Sequence, residues 1–232
     1  MDMKRYQELK EQVWKSNMEL FNKNIVVHTF GNVSGVDRNE GIIAIKPSGV
    51  KYLDLKAEDM VLVDFENRVV ESKLKPSSDT RTHIVLYKSF KNIGGVAHTH
   101  STYATAWAQT KKSIPCYGTT QADHIPTAIP CTKDLTNKQI KGDYETETGH
   151  QIVKECININ TQESGMILVA GHGPFTWGRD PEEAVYNTVM LEEIAKLSWL
   201  TILLNPDVKP LNKTLINKHY QRKHGDKSYY GQ

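Results

Sequence analysis

One stretch of sequence decides the fold class of this chain, Gly94-Gly95-Val96-Ala97-His98-Thr99-His100. Its glycine-led apolar run predicts a β-strand over residues 94–100. Residues 80–90 before it and residues 101–109 after it have the spacing of helices. Strands and helices are interspersed in this way along the chain, without a steady βαβ rhythm. The sequence therefore predicts an α/β fold with a mainly antiparallel central sheet flanked by helices.

The remaining predicted elements extend this mixture in both directions. A helix start is marked by Asp180 at the N-cap and Pro181 at the first helical position. Helices are predicted over residues 3–22, 144–160, 181–205 and 214–224. Strands are predicted over residues 25–27, 41–46, 60–64, 68–71 and 165–170, and residues 121–124 are predicted to form a loop. Because no repeat or linker separates these elements, residues 1–232 are expected to form a single domain.

Composition excludes several classes of protein. The chain has 29 Lys and Arg against 27 Asp and Glu, a net charge of +2, which argues against a nucleic-acid or membrane-surface protein. Its three cysteines form no C-x-x-C pair, as expected for reduced thiols in a cytosol-like compartment. The N-terminal residues lack a signal-peptide pattern, and no run approaches the roughly 18 apolar residues of a membrane span. We therefore expect a cytoplasmic protein.

Three histidines predict a metal site. His98 and His100 are two residues apart at the end of a predicted strand, so both side chains project to one face while Thr99 turns away. His172 follows a second predicted strand and lies between Gly171 and Gly173, which permit a sharp turn and a close backbone approach. Three imidazoles that leave a position open are typical of catalytic zinc, and cobalt or manganese would also suit them. The alternative is that these are ordinary core or surface histidines.

Three short segments could bind an anion, because each combines small polar side chains with turn residues that expose backbone N–H groups. They are Gly31-Asn32-Val33-Ser34-Gly35, Lys46-Pro47-Ser48-Gly49 and Pro76-Ser77-Ser78-Asp79. The third segment also precedes a predicted helix, whose N-terminus favours a phosphate group. Taken singly, each segment is better explained as a plain turn or helix cap. None matches a P-loop or dinucleotide-binding fingerprint, so nucleotide binding is not predicted.

Several residues could transfer protons or bind the metal through oxygen, but spacing alone does not choose among them. Asp79 could cap its helix or join the histidines as an oxygen ligand. Asp123, His219 and Tyr230 could each shuttle protons, and a tyrosine beside a divalent cation can titrate below its usual pKa of about 10. The alternatives are a solvated aspartate, a surface histidine and an ordinary aromatic tail.

Taken together, these motifs resemble the class II aldolase/epimerase family, and within it the epimerase branch, over nearly the whole chain. The motifs that carry the resemblance are Thr29-Phe30-Gly31-Asn32-Val33-Ser34, Ile45-Lys46-Pro47-Ser48-Gly49-Val50, Pro76-Ser77-Ser78-Asp79-Thr80, Ala97-His98-Thr99-His100-Ser101, Thr119-Thr120-Gln121-Ala122-Asp123-His124, Gly171-His172-Gly173-Pro174-Phe175, and an ending from His219-Tyr220 to Tyr229-Tyr230-Gly231-Gln232. Fuculose-phosphate-type aldolases of the family carry a catalytic Glu in the segment where this chain has Asp79, and the shorter Asp suits the epimerases.

The resemblance implies a fold and a set of site residues. The fold is a three-layer α/β/α domain, typically assembled as a homotetramer with active sites between subunits. One zinc ion per subunit would be bound by His98, His100 and His172, with Asp79 near or on the metal and Mn²⁺ or Co²⁺ as substitutes. Asp123 and Tyr230 would be the acid/base pair, assisted by His219. The residues implied to hold a substrate phosphate are Gly31, Asn32, Lys46, Ser48, Gly49, Ser77 and Ser78.

The resemblance also implies an activity on a small sugar phosphate. A zinc-dependent epimerase would interconvert L-ribulose 5-phosphate and D-xylulose 5-phosphate by breaking and remaking the C3–C4 bond through an enediolate, as in the breakdown of arabinose or ascorbate. One alternative is a class II sugar-phosphate aldolase on the same scaffold. Another is a non-catalytic binding module, which would be expected to lose the metal ligands that this chain retains.

Overall fold

A central antiparallel sheet organises the fold. The computed structural model describes residues 3–226 and 228–230 of the chain. The strands are β1 Asn32–Asp37, β2 Ile42–Ile45, β3 Val61–Asp64, β4 Val69–Glu71, β5 Gly95–His98, β6 Met166–Val169 and β7 Gly173–Gly178. They form one seven-stranded sheet in the order β4-β3-β2-β1-β5-β7-β6, and every neighbouring pair is antiparallel. The prediction of a mainly antiparallel sheet is confirmed.

Eight α-helices and two short 3₁₀ turns connect and cover these strands in the described part of the chain. The helices are α1 Met3–Asn22, α2 Thr80–Ser89, α3 Thr102–Thr110, α4 Thr119–Ala122, α5 Asn137–Lys141, α6 Tyr144–Glu155, α7 Pro181–Leu204 and α8 Lys213–His224. The 3₁₀ turns are Tyr52–Asp54 and Ala57–Asp59. None of the helices among the described residues is both long and apolar enough to cross a membrane.

Both faces of the central strands are buried, because strands such as β2 and β6 are apolar at successive positions and so present apolar side chains to both sides. On one face Ile43, Val63 and Phe175 pack in a cluster with residues of α2 and α6. On the other face Ala44 and Leu62 pack with residues of α1, and further along the sheet α3 and α7 cover the strands. This arrangement confirms the three-layer α/β/α architecture. All three cysteines are unpaired and buried.

The predicted start of the long helix is confirmed in detail. The Asp180 carboxylate accepts a hydrogen bond from the Glu183 backbone N–H at 2.8 Å, and Pro181 occupies the first helical turn.

A second cap joins two helices: the Glu192 carboxylate on α7 accepts the backbone N–H groups of Tyr103 and Ala104, each at 2.9 Å. This second cap fixes the start of α3 just beyond the His98-Thr99-His100 motif.

Two strands were not predicted, and β1 is one of the central ones. Residues 31–35 were predicted to form an anion-binding turn, but only Gly31 lies in the turn, with φ +80, and the strand begins at Asn32. The strand is polar and contains Gly35, where a Cβ atom would lie 2.8 Å from Pro181 Cγ. Its polar Ser34 is paired with distant residues of α2, so tertiary contacts replace the hydrophobic pattern on which the prediction relied. The other unpredicted strand, β7, contains a proline and two glycines.

Other local predictions were wrong at particular segments. Residues 25–27 form no strand, because the chain turns back at Asn24, with φ +56, and the Ile25 N–H donates to the carbonyl oxygen of Leu20. The segment 121–124 is not simply a loop, since α4 ends at Ala122 with Asp123 as its C-cap. The helix predicted over 144–160 ends at Glu155, and β5 ends at His98 rather than at residue 100. The short helix α5 was not predicted.

Candidate active site

The three predicted histidines converge at one end of the central strands. His98 is the last residue of β5, His100 follows it, and His172 precedes β7. Their ring centroids are 4.7 Å apart for His98 and His172, and 5.0 Å apart for each of the other two pairs. One potential ligand atom from each residue lies within 4.8 Å of the others. The structure thus brings together the donors predicted from sequence.

His98 and His172 are each held by a local feature of the sequence. The His98 ring stacks on Phe175 at 4.2 Å, and its Nδ1 lies 2.9 Å from the carbonyl oxygen of Pro174. Gly171, before His172, has φ +69, which favours glycine. A Cβ atom on Gly173 would lie 2.7 Å from the Thr99 carbonyl oxygen, so glycine allows β7 to approach the His98-Thr99-His100 segment.

The donor set fits a divalent cation. A carbonyl oxygen can only accept, so His98 donates Nδ1–H to Pro174, and in the neutral ring this tautomer leaves Nε2 free as a ligand. Burial, together with His98 and His100, lowers the pKa of His172 to about 4. Burial also lowers the pKa of His100. These two imidazoles are therefore neutral near pH 7, which is the form that binds metal.

Asp79 faces the same region at the start of α2. Its Oδ2 accepts a hydrogen bond from Asn32 Nδ2 at 2.7 Å. Burial raises the pKa of Asp79, but nearby His98 and His83 and the Asn32 hydrogen bond lower it more, so the pKa lies below its ordinary value. The carboxylate therefore remains charged, and it adds negative charge beside the three imidazoles, as a cation requires.

A cavity of about 450 Å³ joins the histidines to the predicted anion-binding segments. Its walls include every residue that the resemblance implied for phosphate or metal binding, together with Thr29, Phe30, Pro47, Tyr144 and Glu145. The two segments that carry Ser48 and Ser77 are bonded to each other, since Ser48 N–H donates to Lys75 O and Ser77 N–H to Lys46 O. These two serines therefore offer hydroxyl groups to a ligand rather than backbone N–H groups.

Lys46 is buried and holds the loops around this cavity. Its Nζ donates to the carbonyl oxygens of Thr29 at 3.2 Å and Val50 at 3.0 Å, and lies 4.8 Å from the Tyr52 ring centroid. Burial lowers its pKa to about 8. Asn32 also lines the cavity and donates to Ser77 Oγ at 3.1 Å, while its buried Oδ1 has no hydrogen-bond partner in the protein. Asn32 therefore keeps an acceptor for a ligand hydroxyl.

The three predicted acid/base residues form a second cluster, which does not line this cavity. Asp123 accepts hydrogen bonds from His219 Nδ1 at 3.0 Å and from Arg222 Nε and Nη2 at 3.1 and 3.0 Å. The Arg222 guanidinium lies 4.1 Å from the Tyr230 ring centroid. Burial raises the pKa of Asp123, but the hydrogen bonds from Arg222 and His219 lower it more. Of the predicted ending, Gly231 and Gln232 lie outside the described residues.

Sequence reasoning missed three residues of these two clusters. Tyr144 and Glu145 enter the cavity from the N-terminal turn of α6, where the only sequence signal was a helix start. Arg222 lies one helical turn after His219 on α8, so both reach Asp123. That spacing could have identified Arg222 once Asp123 was suspected.

The sheet with its covering helices and histidine cavity defines a class of enzyme. The family model described as "Class II Aldolase and Adducin N-terminal domain" matches residues 11–199, and the chain belongs to this family. The resemblance noted from the motifs is thereby confirmed.

Curated relatives match almost the full length of the chain. L-ribulose-5-phosphate 4-epimerase UlaF of Salmonella paratyphi A (strain ATCC 9150 / SARB42) is 47% identical over 226 residues, which are 97% of this chain and 99% of that protein. Proteins of the same name from Salmonella typhi and Salmonella paratyphi B (strain ATCC BAA-1250 / SPB7) match with the same identity and coverage.

Solved structures of more distant proteins share the fold. An L-fuculose 1-phosphate aldolase is 22% identical, with a TM-score of 0.78, covering 93% of this chain and 95% of that one. The L-fuculose-1-phosphate aldolase of Thermus thermophilus is 21% identical, with a TM-score of 0.66, covering 87% and 97% of the two chains. At these identities the likeness demonstrates a common fold.

Proposed function

We propose that this protein is an epimerase that interconverts L-ribulose 5-phosphate and D-xylulose 5-phosphate with the help of one zinc ion per subunit. The observation that carries the proposal is a single cavity that joins three converging imidazoles to serine-rich turns. The 47% identity to relatives named as this epimerase, over 97% of the chain, supports the choice of substrate.

The turns of the cavity are proposed to bind the substrate phosphate. Ser48, Ser77 and Ser78 offer hydroxyl donors around one opening. Gly31 and Gly49, with φ +80 and +73, allow the turns that bring the backbone to this opening. Lys46 adds positive charge behind these turns. The Asn32 Oδ1 atom can accept a hydrogen bond from a substrate hydroxyl, which would satisfy its unpaired buried acceptor.

His98, His100 and His172 are proposed to hold the metal, with Asp79 beside or on it. Imidazole and carboxylate donors suit zinc, and Mn²⁺ or Co²⁺ could replace it. When bound, the cation would act as a Lewis acid that stabilises negative charge on an enediolate. The three histidines leave the remaining positions open to substrate, as catalytic sites require.

The reaction needs carbon–carbon cleavage because the C4 hydrogen is not adjacent to the C2 carbonyl. A base removes the C4 hydroxyl proton, and the C3–C4 electron pair moves toward the C2 carbonyl. The fragments are the enediolate of dihydroxyacetone and glycolaldehyde phosphate. The aldehyde then presents its other face, the C3–C4 bond forms again, and an acid protonates the C4 oxygen. Two proton-transfer groups on opposite faces of C4 are therefore needed.

Asp123 and Tyr230 are proposed to be these two groups, with His219 supporting them. Since their cluster does not line the cavity of their own chain, we propose that they serve the cavity of a neighbouring copy in a homotetramer. An apolar strip at the end of α7 supports self-association, because Trp199, Leu203 and Leu204 are 48, 63 and 85% exposed.

The test is a product assay with purified, zinc-loaded protein and L-ribulose 5-phosphate. We expect D-xylulose 5-phosphate to appear at equilibrium without lasting release of an aldehyde. Accumulation of glycolaldehyde phosphate and dihydroxyacetone without xylulose 5-phosphate would instead establish an aldolase on this scaffold. Protein that binds no divalent metal and converts no sugar phosphate would point to a non-catalytic module.

A further inference from the structure

Tyr144 contacts a predicted metal ligand but has no part in the function proposed above. It is the first residue of α6, and its Oη lies 3.2 Å from Nδ1 of His172. The start of this helix is fixed from two sides, because Asp143 caps it through Thr146 and also pairs with Arg81 of α2 at 3.1 Å. The fixed start of α6 therefore places the Tyr144 hydroxyl at the cavity, beside His172.

The direction of this hydrogen bond follows from the chemistry of the ring. If Tyr144 donated to Nδ1, then Nε2 of neutral His172 would carry the proton and could not bind a cation. A His172 that binds metal through Nε2 must instead donate Nδ1–H, with Tyr144 Oη as the acceptor. His98 has the same arrangement, with the Pro174 carbonyl oxygen as its acceptor.

A phenol hydroxyl offers an oxygen lone pair as well as a proton. At 3.2 Å from Nδ1 of His172, the Tyr144 oxygen is therefore able to accept the Nδ1–H of that ring.

We propose that Tyr144 is a positioning residue for the metal site: its hydroxyl oxygen accepts Nδ1–H of His172 and thereby fixes the tautomer and orientation of that ligand. Hydrogen-bond acceptors behind metal-bound imidazoles strengthen metal binding in this way. The inference rests on the proposed metal site, and it is independent of which sugar phosphate the protein converts.

The experiment compares zinc affinity in the parent, Tyr144→Phe and Tyr186→Phe, measured by competition with a chromophoric chelator. We expect Tyr144→Phe to bind zinc about 10- to 100-fold more weakly, because the ring remains while the acceptor is lost. Tyr186→Phe is the matched control, since its hydroxyl also bonds a histidine, His124 Nε2 at 2.8 Å, outside the cavity. Its zinc affinity should equal that of the parent.

Two further measurements separate positioning from other roles. The metal-free Tyr144→Phe protein should unfold at the same temperature as the metal-free parent, whereas a role in packing alone would lower that temperature and leave zinc affinity unchanged. At saturating zinc, turnover of Tyr144→Phe should return to within a few-fold of the parent. Turnover that stays low at full occupancy would overturn the proposal, because Tyr144 would then act on the substrate itself.

The inference and the proposed function can fail separately. A parent that binds zinc tightly but converts no L-ribulose 5-phosphate contradicts the proposed substrate and leaves the role of Tyr144 testable by affinity. Equal zinc affinity of Tyr144→Phe and the parent, in an active epimerase, contradicts the role of Tyr144 alone.

Discussion

Asp123, the proposed base, is ionised at neutral pH and is therefore able to accept a proton. The hydrogen bonds from Arg222 and His219 keep its pKa low and hold its orientation. Replacing it with Asn removes the proton acceptor and retains the shape. We expect Asp123→Asn to lower epimerase turnover by about 10²- to 10⁴-fold while zinc content stays unchanged. His100→Asn should lose both zinc and turnover, and metal analysis with the product assay measures each.

The control for this comparison is Asp134→Asn. Asp134 is also ion-paired, to Lys111 at 2.9 Å, but it is exposed and does not line the cavity. The turnover of Asp134→Asn should match that of the parent. Near-normal turnover of Asp123→Asn would remove Asp123 from the mechanism.

His83 is a second residue whose protonation matters, here for stability. It is fully buried on α2, and its Nδ1 lies 2.7 Å from Ser34 Oγ, which in turn lies 2.8 Å from Tyr87 Oη. Burial lowers its pKa to about 3, although Asp79 partly opposes this. The unfolded chain, with a histidine pKa of about 6.5, binds the proton more readily than the folded one. The contribution of His83 to the free energy of unfolding is therefore fully present above about pH 6.5. It is lost progressively as the pH falls toward 3.

The measurement is urea unfolding of metal-free protein at several pH values. Between about pH 7 and 4.5, the His83 contribution should lower the free energy of unfolding by about 2 to 3 kcal/mol. His83→Gln, which cannot titrate, should show a shallower decline, since other buried histidines still contribute. If the free energy of unfolding declined equally with pH in the two proteins, protonation of His83 would not be a cause of the decline, and this prediction would be contradicted.

At the scale of elements, Glu192 couples two helices behind the histidine motif. Its carboxylate accepts two backbone N–H groups at the start of α3. Removing the Glu192 carboxylate leaves both N–H groups without a hydrogen-bond partner at a half-buried helix start. We expect Glu192→Ala to lower the free energy of unfolding by about 1 to 3 kcal/mol in urea titrations. Glu193→Ala, on the exposed side of the same helix, is the control and should change stability by less than about 0.5 kcal/mol.

Elements with strong local signals were predictable, and elements defined by distant partners were not. The helix beginning at Pro181 was predicted because Asp180 and Pro181 form a cap that depends on neighbours in sequence alone. Strand β1 was missed because Ser34 and Gly35 are suited to contacts with α2 and α7 that only the folded chain provides. Helix α4 was missed because it has no side-chain N-cap hydrogen bond, and so its start has no local signal in the sequence.

At the scale of the whole molecule, the meeting of the three histidines could be predicted because each lies at or just after the end of a recognisable strand, and neighbouring strands bring such residues together. His98 and His172 flank the neighbouring strands β5 and β7, so their meeting follows from sheet pairing. The place of Asp123 could not be predicted, since it depends on how α8 packs against α4. Its separation from the cavity is visible only in three dimensions. This separation raises the question whether Asp123 serves the cavity of its own chain or that of a neighbouring copy, as proposed above.

Complementation between two inactive variants answers this question. With the roles proposed above, Asp123→Asn is expected to keep the metal site and lack the base, whereas His100→Asn is expected to keep the base and lack the metal. If each active site takes its metal from one copy and Asp123 from the next around a ring, co-assembled chains regenerate some complete sites. Random mixing of equal amounts should restore about a quarter of parental turnover, because one in four neighbouring pairs has the productive order.

The measurement uses co-expression with two different affinity tags, followed by the product assay on doubly tagged oligomers. Separately purified variants mixed without subunit exchange are the control and should stay inactive. Doubly tagged oligomers that remain inactive would mean that each chain completes its own site. In that case the Asp123 cluster would have to move toward the cavity of its own chain when substrate binds.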